Sequence, residues 1–228
     1  MTEIFTPVPA KGFHYSTAPQ RSPEWVSIRS PRIGASEIGK YMAKGAKGQY
    51  LVGRKEVEKK IAFSKAFGVP FETFVNDAMK AGNENEDFMA TEYAKQTGKE
   101  LATVGCAYNK WFVASPDRAI VGENGGVEIK WLFDNEFSEL LLSGFPKQEH
   151  YDQMQGQMWA FGWDFVDYVA GNGHTGKFYI VRVNRNDKRI DEIKDEGESV
   201  LAIEPMDTED VYSFSQPNNN EEGEPFND

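Results

Sequence analysis

Two acids and one amine in VASPDRAIVGENGGVEIK, residues 113–130, have the types and spacing for metal-assisted phosphate chemistry. Asp117 closes a first short apolar run, and Glu128 and Lys130 sit in a second. Alternation along a strand puts Glu128 and Lys130 on one face and Ile129 on the other. The turn Gly122-Glu123-Asn124-Gly125-Gly126 folds that face back beside Asp117 as a hairpin. Two carboxylates and an ammonium then stand close together. Hard divalent cations prefer such oxygen ligands, and phosphate hydrolysis uses them. The same residues also suit a plain surface ion cluster, and their spacing alone leaves both readings open.

The elements that must position these residues fall into a helical half and a strand-rich half. Residues 1–21 carry three prolines and no periodicity, and read as an extended arm. Ser22-Pro23-Glu24 starts a helix, with Ser22 as N-cap and Pro23 first. It runs to about Arg29 with Trp25 and Ile28 on one face, and Pro31 ends it. Ser36 begins a helical run with Ile38 and Met42 four apart. Its start is either a helix cap or a set of N–H groups aimed at a phosphate. The loop KGAKG, 44–48, either touches a DNA backbone or only solubilises the surface.

Helices are predicted over 49–65 and from Pro70 to an interruption at Gly82, then onward to a C-cap at Gly98. Glu84, Glu86 and Asp87 sit at the start of that last helix, where acids suit the positive end. From residue 100 the pattern changes to short strands: ELATVGCAY, KWFVAS, RAIV and GVEIKWL. A helix over 134–144, capped by Asp134, and another over 146–161 follow. In the second, Gln153 and Gln157 share a face with His150. Strands near 164–171 and 177–185 and a helix over about 188–203 complete a domain spanning 22–204. Residues 205–228 form an acidic tail expected to be disordered. The order predicts a mixed α/β (α+β) fold, a central mixed sheet flanked by helices.

Composition narrows the class. A chain of 228 residues, 39% hydrophobic, builds one ordinary domain. No apolar run approaches a membrane span, and the N-terminus lacks signal-peptide features. The single cysteine, Cys106, excludes an intrachain disulfide and a cysteine-based metal site, and a reducing cytoplasm is the expected location. The net charge of −11 misleads: 11 of the 36 acids and none of the 25 bases follow Lys194. The first 194 residues are therefore neutral overall, and a nucleic-acid partner stays open.

Ser115-Pro116-Asp117 with Glu128-Ile129-Lys130 resembles the signature of the PD-(D/E)XK nuclease superfamily, whose core is restriction-endonuclease-like. The chain is more closely similar to its lambda-phage exonuclease (viral recombinase) branch. Trp25 to Ser36 resembles that branch's W-x-x-x-R-x-x-x-x-(T/G)-A-S element. Gly82 to Glu86 resembles its G-x-x-x-E helix start, and Gln153-Met154-Gln155 with Met158-Trp159 resembles its glutamine helix. The resemblance spans about residues 24–190. It departs at His150, where the family has tyrosine, and in the acidic tail.

This resemblance implies a magnesium-dependent 5′-to-3′ exonuclease on double-stranded DNA ends, with manganese as a substitute ion. It would leave 3′ overhangs for a single-strand annealing protein, as a ring-shaped homotrimer, phage- or prophage-encoded. It assigns the metal to Asp117, Glu128, the Ile129 carbonyl and Glu86. Lys130 would position or deprotonate the attacking water, and Gln153 would hold that water or orient Lys130. Arg29, Ser36 and Ser115 would bind the terminal 5′-phosphate, though Arg29 also suits a surface salt bridge. The alternatives are an endonuclease of the same fold and a non-catalytic DNA-binding protein.

Overall fold

The computed structural model describes residues 7–71, 77–209 and 211, with the backbone alone over 77–84. Its centre is a five-stranded sheet in the order β3-β6-β7-β8-β9: Leu101–Ala102, Arg118–Ile120, Gly125–Trp131, Phe165–Asn172 and Lys177–Asn184. Only β7 and β8 pair in parallel; the other neighbours are antiparallel. A parallel pair cannot be joined by a tight turn. The crossover consists of α5, Asp134–Ser143, and α6, Gln148–Phe161. The β6–β7 turn falls where expected, with Gly122 at φ 79°, but Gly125 and Gly126, expected within it, open β7.

The faces of this sheet follow the strand alternation. Ile129 points into a cluster with Val127, Ile120 and Val169, covered by Met89, Ala90 and Tyr93 of α4, Asp77–Thr97. On the opposite face α6 packs Met154 and Met158 into the larger core with Tyr168. Glu128 and Lys130 therefore face α6.

A second sheet, where one was expected, has the order β1-β4-β5-β2: His14–Ser16, Cys106–Tyr108, Phe112–Ala114 and Ile33–Gly34. The segment ELATVGCAY is not one strand: it divides between the sheets. At Gly105 a Cβ would collide with the Ser16 carbonyl oxygen, so the chain turns where β1 presses on it. Within the N-terminal segment, β1 pairs with β4.

The helices correct other boundaries. α1, Pro23–Arg29, has the expected Ser22 cap, whose hydroxyl accepts from Trp25 N–H at 3.3 Å. α2, Ala35–Met42, is capped at Gly34, so Ser36 lies inside the first turn. α3 is Val52–Phe67. Gly82 does not interrupt α4, which puts Glu86 and Asp87 mid-helix, away from any helix-end role. Packing of the helix against the sheet overrides the glycine's weak propensity. The cap of α5 is Phe133; Asp134 instead accepts from Asn172 at 2.9 Å. The final helix divides into α7, Asp187–Gly197, and a 3₁₀ turn, Glu198–Ala202. The start of the helix expected from Pro70 and most of the acidic tail lie outside the described residues.

α7 is tied to α6 by an ion pair whose carboxylate is buried. Asp152, 1% exposed, accepts from Arg189 Nε at 2.7 Å and Nη2 at 2.8 Å, and from Gln148 at 2.8 Å. Removing one partner of a buried pair leaves an uncompensated charge. Arg189→Ala is expected to cost roughly 3 kcal/mol in urea unfolding; a loss below about 1 kcal/mol would show that α7 is held by its apolar contacts alone.

Candidate active site

Glu128 anchors the site. It is 1% exposed, and three donors reach its carboxylate. Lys130 Nζ at 2.5 Å and Gln153 Nε2 at 2.6 Å share Oε1, while Gln157 Nε2 at 2.6 Å takes Oε2. A carboxylate is tolerated at such depth only when its lone pairs are engaged. The β7–α6–β8 crossover delivers these donors, because it lays the glutamine face of α6 over the strand.

Asp117 precedes β6, and its Oδ2 accepts from Ile129 N–H at 2.6 Å. The ladder between β6 and β7 ends at Arg118–Val127, so no strand occupies that N–H. Within a strand a residue's C=O leaves on the same side as its N–H. The Ile129 carbonyl therefore also faces the Asp117 side. Burial, then the charges of Glu128 and Glu86, push the Asp117 carboxyl well above the usual carboxylate range; Lys130 and the Ile129 N–H offset only part of this. Burial alone would lower the Lys130 pKa, but Glu128 and Asp117 outweigh it and the net direction is upward.

Glu86 reaches the same centre from α4. Its Oε1 accepts from Arg118 Nη1 at 2.6 Å, and that nitrogen also donates to the Asp117 carbonyl at 2.5 Å. The other end of the guanidinium pairs with Asp87. Among the described residues no three acid, histidine or cysteine side chains form a ready-made metal cage. The donor set still fits a hard divalent ion in kind: three carboxylates and a backbone carbonyl, with anionic crowding that a cation would relieve.

The three residues expected at a terminal phosphate also come together. Arg29 Nη2 donates to Ser36 Oγ at 2.7 Å. The Arg29 guanidinium lies 5.2 Å from the Trp25 ring centre, and Trp25 Nε1 donates to Ser115 Oγ at 3.1 Å. Because Gly34 caps α2, the Ser36 hydroxyl is free for Arg29. Two residues that sequence reasoning did not single out complete the pocket. Glu37 accepts from Lys60 Nζ at 2.6 Å and from Gly34 N–H at 2.8 Å, and lies 3.9 Å from Arg29. Burial works to raise the Glu37 pKa, but Lys60 and Arg29 bring it below its ordinary value. Lys60 stands on the next helix, 23 residues from Glu37, so no local signal marked it.

His150, on α6 with the glutamines, pairs with Tyr168. Its Nδ1 lies 2.7 Å from the Tyr168 hydroxyl. Burial first, then Lys130 and Lys147, push its pKa down to about 2.

The fold and the paired centres define a mixed α/β nuclease-like protein, and comparison with known proteins gives its family. Residues 24–164 match the YqaJ-like viral recombinase domain, and the chain belongs to that family. Among solved structures it is similar to an alkaline exonuclease, LHK-Exo, from Laribacter hongkongensis. The identity is 28%, the match covers 79% of this chain and 91% of that one, and the TM-score is 0.70. The same enzyme in complex with dAMP matches equally. A phage-related exonuclease from Haemophilus somnus 129PT shares the fold at 16% identity, covering 75% and 92% of the two chains, with a TM-score of 0.59. No curated protein sequence matches. Family and structural likeness together place the chain with phage-type exonucleases of restriction-endonuclease-like fold.

His150 makes a pH prediction. Its folded pKa lies below the unfolded value of 6.5. The unfolded chain therefore binds the extra proton, and stability falls as pH drops through 6.5. From this group alone the loss is roughly 1.4 kcal/mol per pH unit. His150→Asn, which keeps an amide beside Tyr168, is expected to flatten that slope in denaturant titrations between pH 6.5 and 5. An unchanged slope would mean that His150 is charged in the folded protein.

Proposed function

We propose that this protein is a metal-dependent exonuclease that degrades the 5′-ended strand of linear double-stranded DNA. One observation carries the reading. A buried Glu128–Lys130–Gln153 cluster beside Asp117 lies in the same domain as a second polar cluster built on Arg29. The first suits phosphodiester hydrolysis; the second suits a terminal phosphate. The likeness to an alkaline exonuclease solved with dAMP supports this, since a nucleoside monophosphate is what exonuclease digestion releases.

Magnesium, or manganese in its place, would be held by Asp117, Glu128, the Ile129 carbonyl and Glu86. When bound it supplies an acidified water and polarises the phosphate. Lys130 lies between two carboxylates as an ammonium. In that form it donates to the attacking water and offsets charge on the phosphoryl oxygens. Gln153, on Glu128 Oε1 beside Lys130, orients both. Arg29 offers a planar fork to the 5′-phosphate dianion, with the Ser36 and Ser115 hydroxyls as further donors. Glu37 holds Arg29 and Lys60 on one side of that pocket. Homotrimeric assembly and transfer of the 3′ overhang to an annealing protein belong to the same reading. Sedimentation of the full chain tests the first.

Digestion of linear duplex with magnesium, comparing 5′-phosphate ends, 5′-hydroxyl ends and a closed circle, tests the whole. The expected result is loss of the 5′-phosphorylated linear strand with the circle intact; cutting of the circle would make the protein an endonuclease. Lys130→Ala is expected to lower hydrolysis at least about 10²-fold while duplex binding persists. Arg29→Ala is expected to erase the preference for phosphorylated ends. Full activity in the first variant, or an unaltered preference in the second, would dismiss that residue's role.

A further inference from the structure

Gln157 has a feature that core packing does not explain. Its side chain is fully buried, on the face of α6 that also carries Met154 and Met158 into the core. It makes one side-chain hydrogen bond, from Nε2 to Glu128 Oε2 at 2.6 Å. Its own carbonyl oxygen is buried with no partner among the described residues. A buried unpaired amide oxygen is costly, and a methionine or leucine would fill the same space without that cost. Turning the amide over would set two oxygens against each other, so the donor orientation is fixed. Gln153, one turn earlier, takes the other oxygen of the same carboxylate.

We propose that Gln157 is a positioning residue for hydrolysis, one half of a glutamine clamp that fixes the plane of the Glu128 carboxylate for the cation. Gln153 and Lys130 crowd Oε1 and leave Oε2 to Gln157 alone. Without Gln157 the carboxylate keeps its charge partners on one oxygen only, and can rotate about its last bond. Outer groups that hydrogen-bond a metal ligand set its orientation and basicity. The proposal rests on the metal-nuclease reading above.

The test measures cation binding directly. Manganese is titrated calorimetrically into the full chain without DNA, for wild type, Gln157→Met and Gln157→Asn. Melting temperature and the magnesium dependence of hydrolysis are recorded alongside. Both variants are expected to bind manganese about 10- to 100-fold more weakly. Gln157→Met removes the unpaired oxygen but also the one donor on buried Glu128 Oε2, so it is expected to melt below the wild-type temperature. Raising magnesium is expected to restore its rate, as a purely structural defect would not allow. Should Gln157→Met fail to fold, Gln157→Asn, with its amide one methylene shorter, carries the comparison. A folded variant that binds manganese within twofold of wild type overturns the proposal while the metal reading stands. A wild-type protein that binds no manganese and hydrolyses nothing overturns both.

Discussion

A carboxylate buried in the middle of a sheet is the constraint on which this structure depends. Glu128 stays at 1% exposure only because Lys130, Gln153 and Gln157 surround it. Those donors come from β7 itself and from α6, which lies on the crossover from β7 to β8. The parallel β7–β8 pair supplies the reason they meet, since it forces a helical crossover above one face. Leaving any of the three donors out would strand a charge in a medium that solvates it poorly. The polar demands of Glu128 thus specify where α6 lies as much as the apolar contacts of Met154 and Met158 do.

The second cluster is tied to the first through backbone proximity. Ser36 lies in the first turn of α2, and α2 packs directly against the start of α6. At Gly39 an added Cβ would stand 2.8 Å from the Glu149 Cα, so only glycine permits the helices to sit this close. α6 therefore fixes the glutamines over Glu128 and the helix that carries Ser36 at once. Arg189 on Asp152 secures α6 one turn further along, where α7 packs against both α6 and α2.

Charge is distributed to serve these sites, and it does not follow the simple division of the sequence into a neutral body and an acidic end. Glu196 belongs by sequence to the acidic segment, yet it pairs with Lys44, takes the Tyr50 hydroxyl at 2.5 Å and lies 3.4 Å from Arg54. Lys44 of the basic loop is thereby paired within the fold. Around Glu128 the acids gather instead: Asp117, Glu128 and Glu86 face Lys130, with Arg118 on Glu86.

The sequence by itself determined the local chemistry. Alternation placed Glu128 and Lys130 opposite Ile129, the glycine turn brought Asp117 back, and helical spacing put Gln153 and Gln157 on one face. Each of these depends on neighbours within a few residues, where backbone period and turn geometry decide side-chain direction. Only the tertiary structure decided the rest. It divided ELATVGCAY between two sheets, carried α4 straight through Gly82, moved the cap from Ser36 to Gly34, and brought Lys60 to Glu37 and Arg118 to Glu86. These outcomes turn on which distant surface is available to pack or pair, such as β1 against Gly105 or the sheet against α4. Burial sets their energies, and burial is a property of the whole fold that no local pattern of residues contains.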